Sequence, residues 1–264
     1  YTQSASEISH PYISAALTTY YQSIRSLNLS CMSSLPSGTG LGSSGSFAVA
    51  LVDSLESLQG NLCNTYNLFH RAWQLECIVH GKDIGFQDHL HAVYKGFSRF
   101  SVTSRLGNDK CFNISRSELS LPTRSLNRFF QFAFLVYLNG SREVSAKNNI
   151  LTSSQQSSLS PDESKSLFLR RSSAINKLVD LLHSDSANFL EIGRLILDDC
   201  RHKISSYFSM QQSKSIVKSI MDHPGCFGLR PLGSSGGGFC LVIGDPSCRK
   251  FCASELNVPV FDCA

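Results

Sequence analysis

The chain lacks any apolar run long enough to cross a bilayer, so no membrane helix is expected. It has no Gly-Lys-Ser/Thr, which excludes a Walker-type phosphate loop. Its ten cysteines include no Cys-x-x-Cys. Cys248 and Cys252 stand four apart with no histidine set at zinc spacing, so the cysteines read as buried, reduced thiols. Charge of one sign is nowhere concentrated. The balance of 24 Lys+Arg and 20 Asp+Glu leaves a net +4, and the only tight basic pairs are Arg170-Arg171 and Arg249-Lys250. That is no nucleic-acid footprint. His89 and His91 flank Leu90, and such a His-x-His reads as packing rather than a metal site. Neither nucleic acid nor membrane is therefore expected as a partner, and the cytoplasm is the expected compartment. At 264 residues, 42% of them hydrophobic, the chain can bury a substantial core and divide into two domains.

Glycine and serine, by contrast, crowd into one stretch. Pro36-Ser-Gly-Thr-Gly-Leu-Gly-Ser-Ser-Gly45 runs into Ser46-Phe-Ala-Val-Ala-Leu-Val-Asp-Ser-Leu55, a loop opening an amphipathic helix. Glycines let the backbone turn tightly and bring its N–H groups close to a ligand. The first helical turn adds unpaired donors and a positive dipole end. Together they suit a phosphate. Of the adjacent hydroxyls Ser43 and Ser44, one could cap the helix and the other could reach a metal held by the phosphates. Gly40, Gly42 and Gly45 also satisfy G-x-G-x-x-G. A dinucleotide fold, however, wants a buried strand before the loop and an acid about 20 residues beyond it. Leu27 to Ser33 is half polar, and no such acid stands near Asn61 to Tyr66. Taken alone, the loop also fits a turn that merely caps a core helix.

The whole segment resembles the second motif of the GHMP small-molecule kinases, Pro-x-x-x-Gly-Leu-Gly-Ser-Ser-(small), at every position from Pro36 to Gly45. The resemblance implies that Gly38, Gly40, Gly42, Ser43, Ser44 and Gly45 wrap the phosphates of ATP. It also implies that Ser44 helps hold Mg²⁺.

Two further segments follow in the order of that family. In Glu76-Cys-Ile-Val-His-Gly-Lys-Asp-Ile-Gly-Phe-Gln-Asp88-His, a helical stretch ends near Gly81 and a loop presents Asp88. Two carboxylates flank a glycine-punctuated turn. One could hold a cation and the other could take a proton, as phosphoryl transfer requires; as an isolated pair they could equally be solvated surface acids. The segment resembles the family's Glu-x-x-x-x-Gly-x-x-x-Gly-x-x-Asp-Gln, most closely as in D-glycero-D-manno-heptose 7-phosphate kinases. The resemblance makes Glu76 a Mg²⁺ ligand and Asp88 the base. His89 replaces the usual Gln, and Tyr94-Lys95-Gly96 replaces Tyr-Gly-Gly. Near the other end, Gly228-Leu-Arg-Pro-Leu-Gly-Ser-Ser-Gly-Gly-Gly238 precedes an apolar strand, Phe239 to Ile243. It resembles the third motif, Gly-x-Lys-x-x-Gly-x-Gly-Gly-Gly-Gly-Phe, with Arg230 for Lys and Ser235 for one glycine. That loop is expected to pack on the phosphate loop and, through Gly236 and Gly237, to line the acceptor site. Ser9-His-Pro-Tyr-Ile-Ser-Ala-Ala-Leu17 and Tyr137-Leu-Asn-Gly-Ser-Arg-Glu-Val-Ser-Ala146 resemble segments of the heptose kinase branch. In the second, Arg142 would meet an anionic substrate, or it is a surface arginine after a strand.

The first family motif, Ala-Pro-x-Arg-x-x-Phe-x-Gly-Gly-x-Thr-Asp, has no counterpart here. The expectation is a fragment of a longer polypeptide, a second chain that completes the first domain, or a homologue retained for its surface.

The pattern gives helices over 11–26, 44–58 and 62–79, with a strand at 27–33. Further strands are expected at 97–102, 111–114, 130–138 and 239–242. Helices are expected at 161–182, 188–206, 213–221 and 248–256. Leu178, Leu181, Leu182, Phe189, Ile192, Leu195 and Ile196 fall at helical spacing and read as core. Ser153 to Pro161 reads as a linker. The class is α+β. By resemblance, residues 1–128 form a ribosomal S5-like domain, N-terminally incomplete, and 129–264 a ferredoxin-like domain. The implied activity is Mg²⁺- and ATP-dependent phosphorylation of a small-molecule sugar or sugar phosphate. A heptose 7-phosphate fits best, and a fucose- or galactose-type substrate follows. The alternative is a catalytically silent homologue serving as a structural subunit.

Overall fold

The computed structural model describes residues 4–24, 26–34, 38–104, 112–138, 160–184, 188–208, 210–233 and 238–263. It is α+β, in two compact units. One comprises Tyr1–Ser37 and Gly42–Glu118; the other comprises Gly38–Leu41 and Leu119–Ala264.

The first unit is mainly helical. Helix α1 (Pro11–Thr19) starts with proline in its first turn, where a missing N–H costs nothing. Helix α2 (Ser43–Leu58) buries Ala48, Val49, Leu51, Val52 and Leu55 on one face. Helix α3 (Thr65–His80) is capped by Asn64, whose side chain accepts from Asn67 N at 2.8 Å, and ends at Gly81 in the left-handed region (φ 63°). The short α4 (Gln87–Val93) and an antiparallel hairpin, β1 (Ser98–Ser104) with β2 (Phe112–Glu118), complete it. The core is built from α1, α2 and α3, with Phe69, Trp73 and Leu90 forming a satellite cluster. Buried Glu56 on α2 accepts from Tyr21 Oη at 2.7 Å and from Asn61 Nδ2 at 3.0 Å, and pairs with Arg71 of α3. A buried carboxylate so satisfied fastens the two helices.

The expected helix over 11–26 stops at Thr19, because Tyr21 leaves the helical path to reach Glu56. The expected strand at 27–33 pairs with no strand among the described residues. Leu27 and Leu29 do pack against the core, so the alternation reports burial without a ladder.

In the second unit, β4 (Cys226–Pro231), β5 (Gly238–Gly244), β3 (Ala133–Leu138) and β6 (Val260–Asp262) form one antiparallel sheet in that order. Phe134, Val136 and Leu138 point to one face. They are covered by α8 (Gln211–Asp222), through Val217 and Ile220, and by α9 (Pro246–Ser254), through Cys248 and Cys252. Ala133 and Ile243 belong to the other face. They are covered by α5 (Thr123–Phe132), α6 (Pro161–His183) and α7 (Phe189–Tyr207). Buried on both sides, β5 reads as a continuous apolar run. Of the expected core residues, Leu178, Leu181, Leu182, Phe189, Ile192 and Ile196 join this second face, while Leu195 is only half-buried and lies outside the cluster. The nine described cysteines are free thiols, four of them buried. Among the described residues no helix is long and apolar enough to cross a membrane.

Ser160 and Glu163 form a reciprocal capping box at the start of α6. The phenylalanine-rich stretch expected as one strand from 130 to 138 is helix through Phe132 and strand only from Ala133. The reason is on the α5 face. Phe129 and Phe132, three apart, both enter the core, and Phe132 stacks on Phe189 at 4.5 Å.

Candidate active site

Within the first unit, the start of α2 and the start of α4 are pressed together. Gly42 opens α2 in the left-handed region (φ 73°), and the helix then exposes the N–H groups of its first turn. A Cβ on Gly42 would lie 3.3 Å from Asp88 Cγ. A Cβ on Gly45 would lie 2.9 Å from Asp88 Cβ and 3.2 Å from His89 N. Glycine at both positions is what lets the carboxylate of Asp88 stand beside the helix N-terminus. Asp88 lies in the first turn of α4 and not in a loop. The α4 start is anchored from below. Trp73 Nε1 donates to Ile84 O at 2.9 Å, and Phe86 packs edge-on against Phe69 and Trp73.

Glu76, in the last turns of α3, is buried and faces the same place. Its Oε1 accepts from Tyr12 Oη at 2.8 Å, and its Oε2 lies 2.7 Å from His89 Nε2. The Ser44 hydroxyl also donates to it. His80 Nε2 is further off, at 3.6 Å from Oε1. Burial pushes the carboxyl up, but the adjoining His89 ring and the Tyr12 and Ser44 hydroxyls outweigh this and hold it down at about 2. Glu76 is thus an anion at neutral pH. His89 is 1% exposed. Its Nε2 is close to Oε2 without an aligned hydrogen bond, and Nδ1 has no hydrogen-bond partner among the described residues. His91, on the other side of Leu90, packs edge-on to Phe100, so the two histidines do not converge.

Within the second unit, Gly38–Leu41 is fixed against the sheet. Phe239 N donates to Thr39 O at 3.1 Å. A Cβ on Gly238 (φ 115°) would lie 2.6 Å from Thr39 O, and one on Gly40 (φ 82°) would strike Leu232 O. Leu232, Gly238 and Phe239 thus lie against Thr39 and Gly40, while residues 234–237 lie outside the described residues. Arg230 pairs with Asp199 at 2.6 Å, and Arg171 holds the other oxygen of Asp199 at 2.9 Å.

Of the residues singled out from sequence, the structure brings together Gly42, Ser44, Gly45, Glu76 and Asp88, with Ser43 in the same helical turn. Gly38 and Gly40 lie in the other unit's share of the loop. Arg142, Gly236 and Gly237 lie outside the described residues. Sequence reasoning missed Tyr12, which reaches Glu76 across 64 positions, and the contact of His89 with that carboxylate. The only signal for His89 was its place in a Gln position of the resembled motif.

The donor set tests the fit of a divalent cation. Among the described residues no group of three or more His, Cys, Asp or Glu side chains could hold a metal by itself. Mg²⁺ does not need one: it takes one or two protein oxygens and completes its shell with phosphates and water. Ser44 and Glu76, adjacent hard oxygen donors at a helix N-terminus, fit that requirement.

Residues 11–96 match the family described as GHMP kinases N terminal domain. No curated protein matches the chain. Solved structures match its fold. A D-glycero-D-manno-heptose 1-phosphate kinase from Bacteroides thetaiotaomicron is similar at 15% identity, over 96% of this chain and 70% of that one, with a TM-score of 0.65. The mevalonate kinase of Methanococcus jannaschii is similar at 18% identity over 96% and 73%, TM-score 0.56. The galactokinase of Lactococcus lactis is similar at 13% identity over 97% and 74%, TM-score 0.55.

Proposed function

We propose that this chain, whose residues 11–96 match the GHMP kinase N-terminal domain and whose fold is similar to GHMP kinase structures, transfers the γ-phosphoryl group of ATP to a hydroxyl of a sugar or sugar phosphate. One observation carries the reading. Ser44, Glu76 and Asp88, from three separate helices, converge at the N-terminus of α2. The free N–H groups of that turn bind phosphate, and Gly38 to Gly45 wrap it. Ser44 and Glu76 are the residues that would hold Mg²⁺. When bound there, the ion neutralises charge on the phosphate oxygens. Asp88, beside the helix start, orients the acceptor hydroxyl and takes its proton as the oxygen attacks. Glu76 stays ionised throughout, because its hydrogen bonds favour the charged form. Arg142, Gly236 and Gly237 are proposed on the acceptor side. The residues around Asp88 do not select among sugars, since fold does not fix substrate.

The test is ADP release by the purified protein with Mg·ATP and a panel of sugars and sugar phosphates, beginning with heptose 7-phosphate. Turnover with one of them is expected. Asp88→Asn should lower kcat by about a hundred- to ten-thousand-fold while nucleotide binding persists. A protein that binds no Mg·ATP and elutes with a stable partner on gel filtration is instead a silent structural subunit.

A further inference from the structure

The surroundings of Glu76 go beyond the roles assigned so far. Glutamate is a long side chain with several rotors, and a metal ligand must present its oxygens in one place. Here α3 supplies the carboxylate, while α1 and α4 supply the groups that hold it. Tyr12 Oη, from α1, donates to Oε1 at 2.8 Å in a buried bond. His89 Nε2, from α4, sits 2.7 Å from Oε2. Each carboxylate oxygen has about two acceptor positions, so Tyr12, His89 and Ser44 together still leave room for a cation. The Tyr12 ring is itself fixed, edge-on to Phe47 at 5.8 Å. Nδ1 of His89 is buried with no hydrogen-bond partner among the described residues. Of the two ring nitrogens it is Nε2 that faces the carboxylate, close to Oε2.

We propose that Tyr12 and His89 are positioning residues that fix the Glu76 carboxylate from its two oxygens and present it beside Ser44. This rests on the reading of Glu76 as a metal ligand. Neither residue touches substrate. Their effect is on the geometry and charge of the ligand, as outer partners of metal-binding side chains commonly act.

The experiment measures metal affinity without turnover. Mn²⁺ binding to the full chain, in the presence of a non-hydrolysable ATP analogue, is followed by electron paramagnetic resonance. Affinity for the analogue alone is measured in parallel without metal. Tyr12→Phe and His89→Leu should each weaken Mn²⁺ binding by about tenfold or more. Both should leave the metal-free nucleotide affinity unchanged, which a general loss of structure would not. His89→Gln, which keeps a donor at that place, should recover most of the loss. Should His89→Leu not fold, Tyr12→Phe decides alone, since it removes one oxygen atom. Glu76→Gln separates the two readings. If Glu76→Gln leaves Mn²⁺ affinity at the wild-type value, the metal role of Glu76 is wrong, and the inference goes with it. If Glu76→Gln weakens Mn²⁺ binding but Tyr12→Phe and a folded His89→Leu bind as wild type, only the positioning inference is overturned.

Discussion

Glu76 is the residue on which the candidate site depends most, and its ionisation has a measurable signature. Its carboxyl is held at about 2 in the folded protein, against an ordinary 4.5. A folded-state value below the unfolded one contributes stability that is complete above about pH 4.5 and is lost as the pH falls through about 2. The size is on the order of 3 kcal/mol. Chemical unfolding followed from pH 7 to pH 2 should therefore show a loss below pH 4.5 that Glu76→Gln largely lacks. Parallel curves for the two proteins would refute this. Ser44, Glu76 and Asp88 were legible from sequence because a motif fixes their spacing along the chain. Tyr12 was not, because its hydrogen bond spans 64 positions and no local pattern encodes it. Gly45 was legible as a loop glycine, yet the reason for it is the side chain of Asp88, 2.9 Å from where its Cβ would stand. Gly45→Ala should push α4 away from α2. It should raise KM for ATP and lower kcat together, at a stability cost of about 1–3 kcal/mol. Steady-state kinetics on a folded variant would check it.

At the scale of elements, hydrophobic periodicity found most helices, because an apolar face must be buried whatever covers it. It failed where two signals overlap. Phe130 to Leu138 is apolar enough to be a strand throughout, yet Phe129 and Phe132 occupy one helical face and the ladder begins only at Ala133. Leu27 and Leu29 alternate as a strand would, and bury as a strand would, without a partner among the described residues. Long-range pairing is what sequence spacing does not report. The glycines at helix–sheet contacts are another case. Gly193 on α7 and Gly228 on β4 touch backbone to backbone, so nothing larger fits between helix and sheet. A Cβ on Gly193 would lie 2.5 Å from Phe227 C. Because backbone cannot step aside as a side chain can, Gly193→Ala should destabilise the second unit by about 1–3 kcal/mol. The melting temperature of the variant tests this, and an unchanged value would mean that α7 slides freely on the sheet.

At the scale of the whole molecule, the chain has two sets of core residues rather than one. Leu51, Val52, Leu55 and Leu75 belong to the first unit, and Val217, Ile220, Leu229 and Val242 to the second. A unit with its own core can lose it independently. Leu75→Ala and Ile220→Ala each delete a fully buried side chain and should each cost about 2–5 kcal/mol. Scanning calorimetry should resolve the consequence. The wild-type endotherm should exceed the enthalpy of a single two-state transition, and each substitution should move a different component of it. The loop that the motif defines is divided between the units, Gly38–Leu41 with the second and Gly42 onward with the first. If Leu75→Ala and Ile220→Ala shift one common transition equally, the cores unfold as one, and the chain behaves as a single cooperative body despite its two units.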